Sequence, residues 1–408
     1  MKIDADAASE GGTLSQQDRV ATGKESTTPV KSTQTTPAAP PVPSISSLAA
    51  LKQRKVWTTQ CRILVISAIA LLLFALAGLL IWLGRPNAAD LLQKAADQGD
   101  SDAQTHLGQL YEKGEGVPKD LGKAAELYKK AADQGNEFAQ FFLGTLYHDG
   151  EGVKKDLAKA AELWQKAADQ GNEFAQFLLG WLYQKGEGVP KDLGKAAELW
   201  QKAADQGRVE AEYNLGLLYA QGEGVPKDLG RAAELFQKAA YHGDFDAQND
   251  LGLLYEKGEG VPKDLGRAAR LYQEGAEQGN AYAQNNLGHL YQKGDGVPKD
   301  PGKAAELYQK AADQGHANAQ NNLGLLYQNG EGVPKDLAKA AALWQKAADQ
   351  ENADAQYNLG LVYEYGNGVP KDLGKAAQLY QKAADQGAAQ AQFNLGLLYE
   401  MDRESRRI

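Results

Sequence analysis

A Leu-Gly pair recurs every 36 residues through most of the chain, and this spacing constrains the fold more than any other feature. A unit of this length cannot bury its own apolar side, so neighbouring units must stack to form a core. The spacing therefore predicts an all-α fold, an α/α superhelical solenoid. The glycine of the pair stands at nine positions, with no insertion between them: Gly108, Gly144, Gly180, Gly216, Gly252, Gly288, Gly324, Gly360 and Gly396.

Each unit reads as two helices joined by a glycine-containing turn. In residues 100–135 the first helix, helix A, ends at Lys113, and Gly114 is placed as a left-handed cap. Gly108 lies inside this helix at a cost of about 1 kcal/mol relative to Ala, so its recurrence indicates that a neighbouring helix approaches closely. The apolar face of helix A is formed by Ala103, Leu107, Leu110 and Tyr111.

The second helix, helix B, begins after a recurrent aspartate. Asp120 is placed as its N-cap, where the carboxylate accepts free backbone N–H groups. In one unit Pro301 occupies the first helical position, which suits proline. Asn136 is then placed to cap the next helix A. Glu126 and its equivalents recur beside Lys123 and its equivalents, which predicts a solvated face of helix B with pairing between residues three apart.

These residues resemble the Sel1-like repeat family, as the unit AQFFLGTLYHDGEGVKKDLAKAAELWQKAADQGN illustrates. The resemblance covers residues 88–400 and implies antiparallel helix pairs in a right-handed superhelix, related to tetratricopeptide arrays. It also implies a protein-binding adaptor, and many bacterial relatives are envelope proteins. Residues 87–99 match a lone helix B, which gives nine helices of each kind. Residues 401–408 break the pattern as an atypical tail, so we expect exposed apolar surface at Leu395 and Leu398, and self-association through this uncapped helix.

The N-terminal part has a different composition. Residues 1–50 are polar and contain five prolines, which predicts a disordered tail in the cytoplasm. Residues 51–62 form a basic juxtamembrane segment, and residues 63–83 are 21 residues without a charge, which predicts a transmembrane helix. The basic residues before this segment predict a cytoplasmic N-terminus. The sequence therefore predicts a bacterial membrane-anchored, single-pass inner-membrane protein with its repeats in the periplasm.

The charge and residue types of the repeats argue against nucleic-acid binding, catalysis and metal or cofactor sites. Residues 86–408 carry 35 Lys and Arg against 48 Asp and Glu, so nucleic acid is an unfavourable partner. The chain has one Cys, and its five His occupy different positions of the repeat. The Gly-rich turns lack the spacing of a phosphate-binding loop. We therefore expect no catalytic residues, no metal and no cofactor, and we interpret the protein as a non-enzyme.

A protein or peptide partner is expected on the concave groove lined by helix A. Two positions are placed there by helical geometry: the residue two before the Leu of the Leu-Gly pair and the residue after its Gly. Aromatic side chains would anchor a partner and amides would bind a peptide backbone. The alternative is that the aromatics only pack between repeats. The candidate residues are Phe138, Phe141, Phe174, Phe177, Trp181, Tyr213, Asn285, Asn321, Tyr357 and Phe393.

The sequence thus favours a membrane-anchored interaction scaffold in the bacterial envelope. One alternative is an envelope enzyme or ligand-binding protein that acts on cell-wall or polysaccharide components. Another is a cytoplasmic-facing adaptor of a secretion or chaperone system.

Overall fold

The computed structural model describes residues 88–405, with side chains as far as Met401, and this part of the chain contains 18 α-helices and no strand. The prediction of nine helices of each kind is confirmed within these residues. The B helices are α1 (Ala88–Asp97), α3 (Leu121–Asp133), α5 (Leu157–Asp169), α7 (Leu193–Asp205), α9 (Leu229–Tyr241), α11 (Leu265–Glu277), α13 (Pro301–Asp313), α15 (Leu337–Asp349) and α17 (Leu373–Asp385). The A helices are α2 (Ser101–Lys113), α4 (Glu137–Asp149), α6 (Glu173–Lys185), α8 (Val209–Gln221), α10 (Phe245–Lys257), α12 (Ala281–Lys293), α14 (Ala317–Asn329), α16 (Ala353–Tyr365) and α18 (Ala389–Ser405).

The helix ends are capped as the sequence predicts. Asp120 accepts the backbone N–H of Lys123 at 3.0 Å, and Asn136 accepts that of Ala139 at 3.0 Å. Gly114 adopts a left-handed conformation with φ 76° and donates its N–H to the last turn of α2. Pro301 is the first residue of α13. These capping residues recur in most units, and most helices of the array share the same length of 13 residues.

The core lies between stacked helices, each of which packs on its sequence neighbours. Within one unit, a large aromatic residue of helix B lies on the glycine of helix A. Tyr128 is fully buried, and a Cβ built on Gly108 would lie 2.6 Å from its ring. The close approach predicted from the recurrent glycine is therefore confirmed.

Buried glutamines join neighbouring units. Gln176 of α6 donates from Nε2 to the carbonyl oxygen of Ala168 in α5 at 3.1 Å, and its Oε1 accepts from Gln206, which follows α7, at 2.9 Å. We call the contact between the two glutamines the Gln pair. It recurs at 2.8–3.0 Å in seven of the eight complete units of the described chain. It ties three successive helices together through groups that would be costly to bury unpaired.

The C-terminal end differs from the prediction. Leu395 and Leu398 are not exposed, because α18 turns them onto α17, where they pack with Ala376 and Tyr380. The expectation of exposed surface at these two leucines is therefore wrong. The opposite side of α18 is exposed instead, at Phe393, Leu397, Tyr399 and Met401. The helix continues through residues 401–405, where the sequence departs from the repeat pattern.

The prediction of a single-pass membrane protein is corrected here. Within residues 88–405, no helix combines the length and apolar character needed to cross a membrane. The physical reason is that these amphipathic helices of 10–17 residues span at most about 26 Å, against a hydrocarbon core of about 30 Å. Residues 1–50, 51–62 and 63–83, on which the tail, juxtamembrane and transmembrane predictions rested, lie outside the described residues. We withdraw the predicted localisation.

Candidate functional site

The A helices share a face on which side chains of neighbouring units meet. It is formed by the two residues before the Leu of each Leu-Gly pair, the residue five before that Leu and the residue after the Gly, and we call it the A-helix face. A residue on one helix reaches a residue 37 positions further on in the next A helix. In the second half of the array these contacts are side-chain amide hydrogen bonds of 3.0 Å: Asn286 to Asn249, Asn322 to Asn285, and Asn358 to Asn321.

Within α12 the amides also bond to each other, which makes the chain of hydrogen bonds continuous. Asn285 donates to Asn286 Oδ1 at 3.2 Å, so Asn322, Asn285, Asn286 and Asn249 form one series across α14, α12 and α10. We call this series the amide relay. Each carboxamide has two N–H groups and two acceptor lone pairs, so every member keeps capacity for a further partner.

The amide relay ends on the carboxyl group of a half-buried aspartate. Asn249 donates to Asp250 Oδ1 at 3.1 Å, and the Tyr213 hydroxyl of α8 donates to Asp250 Oδ2 at 3.2 Å. Burial raises the pKa of Asp250 to about 6, and these two hydrogen bonds oppose that rise because they favour the carboxylate. The pKa of Asp246 is also raised to about 6, first by burial and then by Asp244 and Asp250.

A cleft of about 370 Å³ opens on the A-helix face in this half of the array. It contains Asn285 and Asn321, two of the residues that the sequence predicted. The cleft also contains His289, whose pKa is lowered by burial and by nearby Lys293. The other lining residues are Leu253, Glu256, Asn286, Asn318, Asn322 and Asp354.

The first half of the same face is aromatic, and two of its predicted residues are exposed. Phe138 is 50% exposed and Phe174 is 44% exposed. They occupy the repeat position of Asn318 and Asp354, which line the cleft further along. Phe141 is half-buried against the core, with its ring centroid 5.7 Å from that of Phe174.

Other predicted aromatic residues pack on aromatic residues of their own unit. The rings of Phe177 and Trp200 lie 6.4 Å apart, and those of Tyr357 and Tyr380 lie 5.8 Å apart. Tyr213 packs in the same way on Phe236 at 5.7 Å. All three are half-buried, so much of each ring serves the core.

The last two predicted aromatic residues differ in their surroundings. Trp181 is half-buried, with its ring 6.2 Å from His148 of the preceding A helix. Phe393 is 66% exposed, on the open side of α18. The predicted residues therefore include packed rings as well as exposed ones.

Arg208 belongs to this surface but was not predicted. Its guanidinium lies 4.5 Å from the ring centroid of Phe174 and 4.9 Å from that of Phe177. It stands where most other units have an Asn or Asp cap, and it makes no side-chain cap bond to α8. That departure from the repeat was the signal available in the sequence. Arg208 covers part of the aromatic patch that was expected to be free.

The described side chains offer no metal centre, since no three His, Cys, Asp or Glu residues among them are grouped to hold an ion. The candidate site of residues 88–405 is a long face with an aromatic and an amide-lined half. A stack of helix hairpins with such a face defines an α-solenoid repeat protein, a class typical of protein–protein interaction scaffolds.

The chain belongs to the Sel1 repeat family. The family model described as Sel1 repeat matches ten consecutive segments, of which the first and last are partial: residues 85–100, 101–136, 138–172, 174–207, 209–244, 245–280, 281–316, 317–352, 353–387 and 389–403. The resemblance predicted from the sequence is confirmed. No curated protein matches the chain.

Two solved structures show the same architecture. One is a protective antigen with an SLR fold, present in uropathogenic Escherichia coli strains; it is 37% identical, with 77% of this chain and 75% of that chain covered and a TM-score of 0.63. The other is a Sel1 repeat protein from Oxalobacter formigenes; it is 36% identical, with 76% and 89% covered and a TM-score of 0.61. Both similarities support the repeat fold.

Proposed function

We propose that the protein is an interaction scaffold that holds an extended segment of a partner protein along the A-helix face from α10 to α16. The observation that carries the proposal is the amide relay, which runs beside the cleft lined by Asn285, Asn321 and Asn322. An extended segment exposes backbone N–H and C=O groups at regular intervals, and a row of carboxamides offers both donors and acceptors to them.

The relay also prepares the amides for binding. Asn322 and Asn285 hold each other at 3.0 Å, so their side chains are already ordered. A partner therefore does not have to supply the full cost of fixing them, which amounts to about 0.5–1.5 kcal/mol for each side chain immobilised on binding.

The charges of the cleft favour a basic partner segment. Glu256 and Asp354 both line it. His289, which also lines it, has a pKa lowered by burial and is therefore neutral at neutral pH. A Lys or Arg side chain in the bound segment would complement the two carboxylates, and this complementarity would act mainly on specificity and association rate.

The aromatic half supplies a second contact on the same face. Phe138 and Phe174 are exposed at the repeat position that lines the cleft further along the array. Exposed rings of this kind are typical anchors for apolar side chains of a partner. We therefore propose that a longer bound segment places apolar residues against α4 and α6 and basic residues against α10 to α16.

The experiment is selection of binding peptides from a random library on the immobilised full chain, followed by affinity measurements on variants. Peptides that bind the A-helix face should lose at least about tenfold in affinity with Asn285→Ala and Asn322→Ala, which corresponds to about 1.4 kcal/mol. Gln309→Ala is a matched control, because this exposed amide lies on α13 and bonds only locally to Asp313. Selected peptides that bind both asparagine variants like the parent protein would contradict the proposal, as would a selection that yields no binder.

A further inference from the structure

One unit of the array departs from the Gln pair at both positions. Where the other units have Gln in helix A, α8 has Glu212, and where they have Gln after helix B, His242 follows α9. A cavity of about 480 Å³ lies at this place, between the ends of α7 and α9 and the first turns of α8. We call it the Glu212 cavity. It is lined by Ala204, Asp205, Gly207, Glu212, Gln237, Lys238, Tyr241 and His242.

Glu212 is a buried acceptor that lacks the donor of its equivalents. The residue is 3% exposed, and its Oε2 atom is buried with no hydrogen-bond partner. At the equivalent place one repeat earlier, Gln206 donates to Gln176 at 2.9 Å. His242 is exposed and leaves the space that a glutamine side chain would fill. A buried carboxylate oxygen without a donor is costly, so it marks a place where a donor belongs.

A second acceptor at the same cavity has also lost a donor. In the preceding unit the Ala168 carbonyl accepts both the Gly171 N–H and Nε2 of Gln176. The equivalent Ala204 carbonyl accepts the Gly207 N–H, but an ionised Glu212 has no N–H to offer it. The cavity thus brings together a carboxylate and a backbone carbonyl. The groups at the equivalent positions of the preceding unit accept hydrogen bonds from glutamine side-chain N–H groups.

We propose that the Glu212 cavity binds an organic cation that carries several N–H donors, an ammonium or guanidinium group. Such a group supplies two or more donors at once and complements the carboxylate charge, whereas a neutral amide supplies no charge. Tyr241 is 76% exposed beside His242, and its ring offers a face for a cation at the cavity rim. None of the residues that line the Glu212 cavity also lines the cleft of the proposed peptide site.

The charged groups around Glu212 set the conditions for binding. Asp205 lines the cavity and adds negative charge, Lys238 is the cationic side chain that lines it, and the imidazole of His242 completes the lining. Burial raises the pKa of Glu212 to about 7, and Lys238 opposes this rise. Binding of a cation requires the ionised form, so the test is carried out at about pH 8.

The test uses two probes on the full chain: agmatine, and a short neutral-ended peptide with a single central Arg. Binding is followed by NMR through the ring C–H signals of His242, one of only five His residues in the chain. We expect a saturable shift with at least one probe and a loss of at least about tenfold in affinity in Glu212→Gln. Binding of agmatine alone would identify a free small organic cation as the ligand, and binding of the peptide alone would identify an Arg side chain of a protein.

A gain-of-binding variant keeps the test informative if Glu212→Gln misfolds. The double variant Gln176→Glu/Gln206→His introduces the same two residues one repeat earlier. We expect the ring signal of the new imidazole to shift with the same probe. The proposal is overturned if neither probe shifts His242 in the parent protein, or if Glu212→Gln binds as tightly as the parent protein.

Discussion

Gly144 and Trp164 lie in direct contact, with no room for a further carbon atom between them. A Cβ built on Gly144 would be 2.6 Å from Cδ1 of the indole ring, and Nε1 of the same ring donates to the Phe141 carbonyl at 3.1 Å. The glycine of the recurrent Leu-Gly pair is therefore required by the approach of helix B, since its backbone is ordinary α-helix.

Replacement of Gly144 by Ala tests this contact. Ala is favoured over Gly inside a helix by about 1 kcal/mol, but here its methyl group must displace a fully packed indole, and overpacking costs about 1–3 kcal/mol. We expect Gly144→Ala to lower the midpoint of urea unfolding, followed by circular dichroism on the full chain. If helix propensity alone decided the free energy of unfolding, the same substitution would stabilise the chain.

The chain provides a matched control at the same repeat position. Gly396 lies in α18, and a Cβ built on it would meet no atom within 4 Å. Gly396→Ala is therefore expected to leave stability unchanged or raise it by up to about 1 kcal/mol. Similar losses in the two variants would show that the contact with the aromatic ring of helix B is not the reason for the glycine.

A second prediction concerns Glu351, which has a φ of 65° and is the one non-glycine residue with positive φ in the described chain. Equivalent positions in other units, such as Gly315 with φ 89°, are glycine. A side chain in the left-handed region costs about 1–2 kcal/mol. We expect Glu351→Gly to stabilise the chain by about 1 kcal/mol, partly offset by the added freedom of the unfolded chain.

The reverse change isolates the backbone effect. A Cβ built on Gly315 would meet no atom within 4 Å, so Gly315→Ala introduces no clash. Its expected loss of about 1 kcal/mol is then purely conformational. Thermal unfolding of the two variants should shift in opposite directions, and a shift in the same direction would count against this explanation.

A third prediction concerns the hydroxyl of Tyr213, which donates to Asp250 Oδ2 at 3.2 Å. This hydrogen bond favours the carboxylate and therefore lowers the pKa of Asp250 against the rise that burial causes. Tyr213→Phe removes the donor while it keeps the ring that packs on Phe236. We expect the pKa of Asp250 to rise above its value of about 6, as measured by carbon NMR of the carboxyl group. An unchanged or lower pKa would contradict the assignment.

The local structure was predictable because each helix end carries its own signal. The helix ends lie where the sequence predicts them: at the N-cap Asp120, the left-handed C-cap Gly114 and Pro301 in the first helical position. Contacts between successive helices were harder to predict. Lys123 was expected to pair along helix B with Glu126, but its Nζ lies 3.8 Å from Asp120 and 5.2 Å from the ring centroid of Tyr111. The turn between the helices brings that ring over the start of helix B, which helical periodicity alone does not reveal.

The candidate site was predictable only in part for the same reason. Helical spacing identified Asn285 and Asn321 as neighbours on one face, and both line the cleft. The hydrogen bond from Asn322 to Asn285 joins residues 37 positions apart, one more than the repeat length of 36. This offset depends on how consecutive A helices are oriented, which the sequence does not reveal. Nor does spacing separate the exposed ring of Phe174 from the packed ring of Phe177, since the difference depends on Trp200 in the following helix.

The last prediction is a pH dependence of stability that originates at Glu212. Burial raises the pKa of this carboxyl to about 7 in the folded chain, against about 4.3 in an unfolded one. The folded state therefore holds the proton of Glu212 more tightly than the unfolded chain does, so ionisation of this carboxyl destabilises the fold. This destabilisation is absent at low pH, where Glu212 is protonated in both states. It grows as pH rises between the two pKa values and is complete above about pH 7. Glu212→Gln removes the titrating group. The difference in unfolding free energy between this variant and the parent protein should increase by about 1–3 kcal/mol from about pH 4.5 to pH 8 in favour of the variant. Asp246 and Asp250 titrate in both proteins, so their contributions cancel in this difference. A difference that stays constant with pH, measured by urea unfolding in matched buffers, would show that Glu212 titrates like an exposed carboxyl group.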